Sequence, residues 1–341
     1  MRPASAAGAA LLVLIAGCTT LTPPPEPGPQ PAVEVKQARG EVVASNDRFV
    51  LYAPDAGDSF ASIAQRFLGH ASRQWEIADF NDAARPSPGK IVAIPLRPTN
   101  PQGVRAHGYQ TVPILCYHRI GSGISRMIVS RQSFEAQLDY LARNGYRVVR
   151  LRDIADFVSG KKQLPKKAVV LTFDDGHVSA YQQAFPLLKK YGFPATFFLY
   201  TDFLTAKDAL NWSQIREMAD SGLADFQSHS KTHANLVVRL PDETDQQYRR
   251  RLDTEIRVPR ELIERNVATK VTEYAYPYGD ANEVVLERMT QSGYRLGLTV
   301  NPGGNAFFAH PLMLRRTMIL GEQSVETFKS ALDVFKEVDL R

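Results

Sequence analysis

The stretch Ala168-Val-Val-Leu-Thr-Phe-Asp-Asp-Gly176 constrains the fold of this chain more than any other. An apolar and β-branched run that short fits a strand covered on both faces, as in a parallel sheet. Asp174 and Asp175 then fall where the strand emerges, the end at which α/β folds gather their chemistry. Gly176 permits the tight turn that brings backbone close to an ion or a substrate. Adjacent acids on a strand end point in different directions, so one can ligate a cation while the other handles protons. Asp-Gly is also ordinary turn chemistry, and the pair alone leaves that reading open.

A second constellation follows in Phe226-Gln-Ser-His-Ser-Lys-Thr-His233. Histidine is scarce, seven in 341 residues, yet two stand four positions apart. That spacing puts both imidazoles on one helix face, and at a strand exit it can also converge them. His229 and His233 with one carboxylate would leave coordination positions open, the arrangement of a catalytic zinc.

Together, Thr172-Phe-Asp-Asp-Gly176, His229-Ser-Lys-Thr-His233 and Tyr276-Pro-Tyr-Gly279 resemble the first three motifs of the polysaccharide deacetylases, carbohydrate esterase family 4. The resemblance covers roughly residues 110 to 335, in motif order. It implies an α/β fold, an irregular (β/α) barrel of about seven strands. Strand signals at 111–117, 146–150, 168–173, 195–200, 224–228, 272–276, 294–300 and 313–319 alternate with helical ones, as parallel β/α units do. The helical stretches are 131–144, 151–159, 178–191, 213–221, 243–266 and 280–292.

The N-terminal end reads as targeting. An apolar segment of about a dozen residues is too short to span a bilayer and matches a signal-peptide core. Ile15-Ala-Gly-Cys18 resembles a bacterial lipobox, so residues 1–17 are expected to be a lipoprotein signal and Cys18 the lipidated residue. Acyl chains there would anchor the protein to a membrane, at the periplasmic face of the outer membrane in a Gram-negative cell. Residues 18–45, dominated early by proline, read as a stiff spacer. Cys116 is the other cysteine; with Cys18 acylated no internal disulfide forms, and Cys116 is expected to be a small buried hydrophobe. The net charge of +5 gives no argument for nucleic acid.

Residues 46–98 form a small unit: a strand at Phe49-Val-Leu-Tyr52, a helix capped by Asp58 or Ser59, a second helix near 73–80, and a closing strand Lys90-Ile-Val-Ala-Ile94. This β-α-α-β order, with Asn81 after the second helix, resembles a lysin motif (LysM), a family that binds N-acetylglucosamine-containing glycans such as peptidoglycan. Residues 99–109 read as a linker and 110–341 as the deacetylase-like domain.

The family resemblance assigns roles. Asp175, His229 and His233 would hold the divalent metal, zinc foremost; Asp174 would be the general base; Tyr278 would give a backbone N–H to the oxyanion. Two departures matter. The family's arginine two residues before the motif-three proline is Ala275, and Arg315 and Arg316 are available to replace it, with Arg316 preferred. No late Leu-x-His supplies a general acid, and His310 lacks that context. His118, ending the first strand in Tyr117-His-Arg119, is the expected acid, as in the exopolysaccharide-modifying subgroup. Trp212 is expected to pack or to line the sugar groove, and Arg249-Arg-Arg251 to be a solvated helix face. The expected function is metal-dependent de-N-acetylation of an N-acetylglucosamine polysaccharide, exopolysaccharide or peptidoglycan. The competing reading is a glycan-binding envelope lipoprotein that has lost catalysis.

Overall fold

The computed structural model describes residues 37–123, 125–321 and 323–339, so the expected signal segment and Cys18 lie outside the described residues. The first unit of structure is a three-stranded antiparallel sheet, β1 (Glu41–Ser45), β2 (Phe49–Ala53) and β3 (Val92–Pro95), in that order. Two helices, α1 (Phe60–Leu68) and α2 (Gln74–Asn81), join β2 to β3. Ser59 is the cap of α1, accepting from Ser62 N in a reciprocal capping box. Asp58 instead gathers the N–H groups of Arg39, Gly40 and Asp55 and the Tyr52 hydroxyl. Asn81 stitches α2 to β3, donating to Ile77 O and Ala93 O and accepting from Ala93 N. Tyr52, Phe60, Ile63, Ala64, Ile77 and Ile94 fill the small core.

Two segments expected to be linker are ordered structure. Glu41–Ser45 pairs with β2, so the unit starts inside the stretch assigned to the spacer. All five of its residues are exposed, so this edge strand carries no burial pattern to betray it. Within 99–109 lie β4 (Val104–Arg105) and the start of β5 (Gly108–Gln110), a hairpin to which the C-terminal end of the chain adds a strand.

The larger unit then alternates strand and helix. Its first elements are β6 (Val112–Tyr117), the short pair β7 (Arg119–Ile120) and β8 (Ile128–Val129), α3 (Arg131–Arg143), β9 (Arg147–Val148) and α4 (Arg152–Val158). Next come β10 (Ala168–Phe173), a π-helical segment running into α5 (Phe185–Tyr191), β11 (Ala195–Leu199), α6 (Trp212–Asp220) and β12 (Ala224–Ser228). The chain finishes with α7 (Asp245–Asn266), β13 (Glu273–Ala275), α8 (Glu283–Gln291), β14 (Leu296–Leu298), β15 (Gly304–Asn305), β16 (Thr317–Met318), α9 (Val325–Ser330) and β17 (Phe335–Glu337).

The parallel sheet runs β14-β13-β12-β11-β10-β6, with β16 on the far side of β6, a curled half-barrel of seven parallel strands. A bridge between Leu298 and Leu314, with Thr299 N and Leu314 N donating across it, links β14 to the segment that leads into β16. That last segment was expected as strand 313–319. The paired strand is Thr317–Met318; Met313 belongs instead to a 3-10 turn started by Pro311 and capped by His310 Nδ1 accepting from Leu312 N. His310 is thereby committed to a cap. Both β6 and β10 are buried along their whole length, as the unbroken apolar runs require. Aromatic rings from β6, β10, β11 and β12 (Tyr117, Phe173, Phe197 and Phe226) stack in a row across the helix-covered face of the sheet. Trp212 packs against this core, and Arg249 and Arg251 of α7 pair with Glu287 and Glu243. Among the described residues no helix is long and apolar enough to cross a membrane.

Candidate active site

Parallel strands bring their C-terminal ends to one edge, and that edge collects Asp174 and Asp175 after β10, His118 after β6, and His229 after β12. The backbone there is unusual. Asp175, Ser230, His233 and Tyr278 all have positive φ, a conformation that side chains with a Cβ adopt only when their surroundings enforce it. Gly176 continues the turn at φ +81°, and a Cβ on it would approach Leu199 Cδ2 to 2.9 Å. Gly279, after Tyr278, faces a tighter limit: a Cβ would meet Val300 N at 2.6 Å.

Asp175 Oδ1 is the point of convergence. His233 Nε2 lies 3.4 Å from it and His229 Nε2 3.6 Å, yet the oxygen is buried without a hydrogen-bond partner. His229 Nδ1 is 2.7 Å from Ala275 O, so the ring donates from Nδ1 and presents the Nε2 lone pair to Asp175. Ligand atoms of Asp175, His229 and His233 all lie within 4.8 Å of one another. The turn between the two histidines is held by Glu255 of α7, which accepts from Lys231 N, Thr232 N and the Thr232 hydroxyl. An orphaned carboxylate oxygen facing the Nε2 atoms of two imidazoles is a set of donors that a divalent cation fits. Burial opposes the Asp175 charge, but His177 and His233 outweigh it and hold the carboxyl far below its usual range. Burial pushes His229 down, toward the neutral form a metal needs.

Asp174 is arranged differently. Arg316 Nη1 and Nη2 donate to its two oxygens at 2.7 and 2.8 Å, a bidentate pair with both side chains buried. Arg316 Nε donates to Thr299 O. Burial disfavours the Asp174 charge, but the guanidinium more than compensates and its carboxyl sits below the ordinary value. Asp174 Oδ2 also lies 3.9 Å from His229 Nε2, beside the three-residue donor group. Arg315 is turned away and donates to Pro302 O, so of the two arginines it is Arg316 that stands where the missing motif-three arginine would act. Cys116 is fully buried as expected, with its Sγ 3.4 Å from Asp174 Oδ2.

His118 stands on the same side. Ligand-type atoms of Cys116, His118 and Asp174 lie within 4.8 Å of one another, so the imidazole is beside the carboxylate and not at the far end of the barrel. Burial pushes His118 below its usual value, against the pull of Asp174 and Asp175. Tyr278 is 62% exposed, its ring 5.0 Å from that of His233, so it walls the donor group on the solvent side. Tyr200 packs on the same His233 ring.

Sequence reasoning passed over His177. Its Nε2 lies 3.2 Å from Asp175 Oδ2, and Arg119 Nε donates to the same nitrogen at 3.2 Å. The signal was its place directly after the Asp-Asp-Gly turn.

The polysaccharide deacetylase profile matches residues 161–297, which hold both aspartates, both histidines and Tyr278. Bacillus subtilis YxkH, named for the same family, is 32% identical over 225 residues, 66% of this chain and 77% of that protein. The poly-beta-1,6-N-acetyl-D-glucosamine N-deacetylase of Escherichia coli K12 is 29% identical over 211 residues, spanning 52% of this chain and 31% of that enzyme's length. The solved Streptococcus pyogenes deacetylase PplD, in complex with acetate, superposes with a TM-score of 0.59 at 27% identity, over 66% of this chain and 99% of that one. A paired-aspartate strand end set in this half-barrel, and a relative matched over most of its length, carry one conclusion: the chain belongs to the polysaccharide deacetylase family, hydrolases that act on amide bonds of polysaccharides.

Proposed function

We propose that this enzyme removes acetyl groups from N-acetylglucosamine units of an envelope or secreted polysaccharide, using a divalent cation held by Asp175, His229 and His233. One observation carries the reading: a carboxylate kept ionised by Arg316 stands 3.9 Å from a histidine of a three-residue donor group whose central oxygen lacks a partner. A binding module has no use for such a base beside such a group, which argues against the inactive alternative.

The cation, zinc by its donor types, would polarise the acetyl carbonyl and lower the pKa of water when bound. The chain's own groups do the rest. Asp174 takes a proton from water as its oxygen attacks the acetyl carbon. The Tyr278 backbone N–H is assigned to the developing oxyanion. As the C–N bond breaks, His118 gives its proton to the leaving nitrogen. Acetate and a free amine on the sugar result, and Arg316 keeps Asp174 aimed throughout.

The Escherichia coli relative's substrate supports a β-1,6-linked N-acetylglucosamine polymer. The sheet and two helices of residues 41–95, with their Ser59 cap and Asn81 staple, support the LysM reading and with it a glycan-binding role, peptidoglycan included. The test is metal content together with acetate release from both polymers, side by side. The doubly substituted His229→Ala, His233→Ala protein should lose ion and activity together; full zinc occupancy in it would refute the site. Anchoring at the cell envelope through Cys18 rests on the lipobox resemblance. Cys18→Ser should end fatty-acid incorporation and release the protein from membranes, and label that persists would refute it.

A further inference from the structure

Asp175 offers two oxygens, and only one faces the histidines. Oδ1 lies 3.4 Å from His233 Nε2 and 3.6 Å from His229 Nε2, while Oδ2 lies 3.2 Å from His177 Nε2. A carboxylate on a free χ2 could present either oxygen, or both, to an ion. Something must choose, and His177 is the group in contact with the other oxygen.

The His177 ring has little freedom of its own. Its side chain is mostly buried, and its edge packs on Phe203 at 5.2 Å. Its backbone bridges Ala209, and the neighbouring Val178 N donates to Asp208 O and Leu210 N to Gly176 O. The ring therefore arrives at Asp175 from a clamped segment. Its Nδ1 is buried without a partner, so the cost of burying this imidazole is not offset on that side. An unsatisfied polar ring beside the site calls for a reason, and Nε2 is where both of its polar contacts are made: Arg119 Nε donates to it at 3.2 Å, and Asp175 Oδ2 lies at the same distance. Nε2 cannot accept from Arg119 and donate to Asp175 at once: with the proton on Nε2 the ring donates to Asp175 Oδ2, and Arg119 then contributes only its positive charge beside the carboxylate.

We infer that His177 is a positioning residue: it ties down Asp175 Oδ2 so that Oδ1 is the atom given to the cation. It touches neither substrate nor ion. The inference rests on the proposed role of Asp175, His229 and His233 as a cation site.

The experiment measures Zn2+ affinity of the metal-stripped full chain by competition with a chromophoric chelator, for the parent, His177→Gln, His177→Asn and His177→Phe. Glutamine can place an N–H where Nε2 stands; asparagine is too short, and phenylalanine keeps the ring and its contact with Phe203 without a donor. Parent and His177→Gln should agree within about threefold, while His177→Asn and His177→Phe should bind roughly 10–100-fold more weakly, the usual loss for a residue that orients a ligand. The visible absorption of bound Co2+, which reports ligand geometry, should be parent-like for glutamine and altered for the other two. Should His177→Phe fail to fold, the glutamine–asparagine pair still decides. Equal affinity in all folded variants overturns the inference and leaves the cation site intact. Equal weakening in all of them, with a matching fall in metal-free melting temperature, makes His177 a packing residue and also overturns it. A parent that binds no divalent ion would instead bring down the functional reading, and this inference with it.

Discussion

Asp174 and Glu273 are both buried carboxyls of the same parallel sheet, 3% and 2% exposed, and they stand at its opposite ends. Asp174 follows the last residue of β10, at the C-terminal edge; Glu273 is the first residue of β13. Burial drives both toward the neutral acid. At Asp174 the bidentate Arg316 reverses that, and the carboxyl falls below its ordinary value. At Glu273 burial is joined by the Asp225 carboxylate, Arg152 and Arg295 do not compensate, and the group is pushed up to about 8. Its Oε2 has no hydrogen-bond partner. Burial is thus common to both ends, and a directly bonded cation marks the end where the charge is used.

Removing the base should have the largest effect. Asp174→Asn keeps the shape but cannot take a proton from water, so turnover should fall by about 10⁴, the upper end for general base catalysis, with zinc content unchanged. Near-parental kcat in this variant would mean that the roles of Asp174 and Asp175 are misassigned. His118→Ala should follow, at about 10²–10³ on an N-acetyl substrate with metal retained. An aryl acetate should suffer much less, because its leaving group departs without a proton. Equal losses on both substrates would point to a structural role for His118.

Arg316→Met tests the comparison directly, since it turns Asp174 into a second Glu273. Removing one partner of a buried pair typically costs about 3–5 kcal/mol of stability. The Asp174 carboxyl should then rise, so the base is protonated over a wider range and the acid limb of the pH–rate profile moves to higher pH. An unmoved acid limb in a folded Arg316→Met enzyme would show that the arginine does not set the charge of Asp174.

What the sequence could disclose follows from the same physics. Asp174 and Asp175 were legible because an unbroken apolar run ending in two acids has few other uses. His118 was legible for the same reason, one strand earlier. Arg315 and Arg316 could not be separated with any force, because neighbours on an extended chain face opposite ways and only the register of the last strand decides which one enters the core. Glu41–Ser45 was hidden by having no buried face, and the hairpin at Val104–Gln110 because its strands are two and three residues long. Glu273 was illegible in another sense: an acid in Thr272-Glu-Tyr-Ala275 reads as the solvent-facing position of a strand, yet it is covered. His177 followed the recognised motif and was eclipsed by it.

The smallest expected effect on catalysis, and the sharpest on the comparison, is Glu273→Gln. Glu273 begins β13, at the strand end opposite the edge that carries the site, so turnover should be unchanged. Stability should not be. The folded state holds this proton up to about pH 8, whereas an unfolded glutamate releases it near its ordinary value of about 4.5. A folded pKa raised above the unfolded one gives a contribution fully present below about pH 4.5 and lost as pH rises through about 8. The parent should therefore lose stability across that window, by on the order of a few kcal/mol. Glutamine cannot ionise, so Glu273→Gln should flatten this fall: chemical denaturation at pH 5 should find the two proteins close, and at pH 8 the variant more stable. The same difference at both pH values would mean that Glu273 is not held neutral, and that the two ends of the sheet do not treat their carboxyls differently.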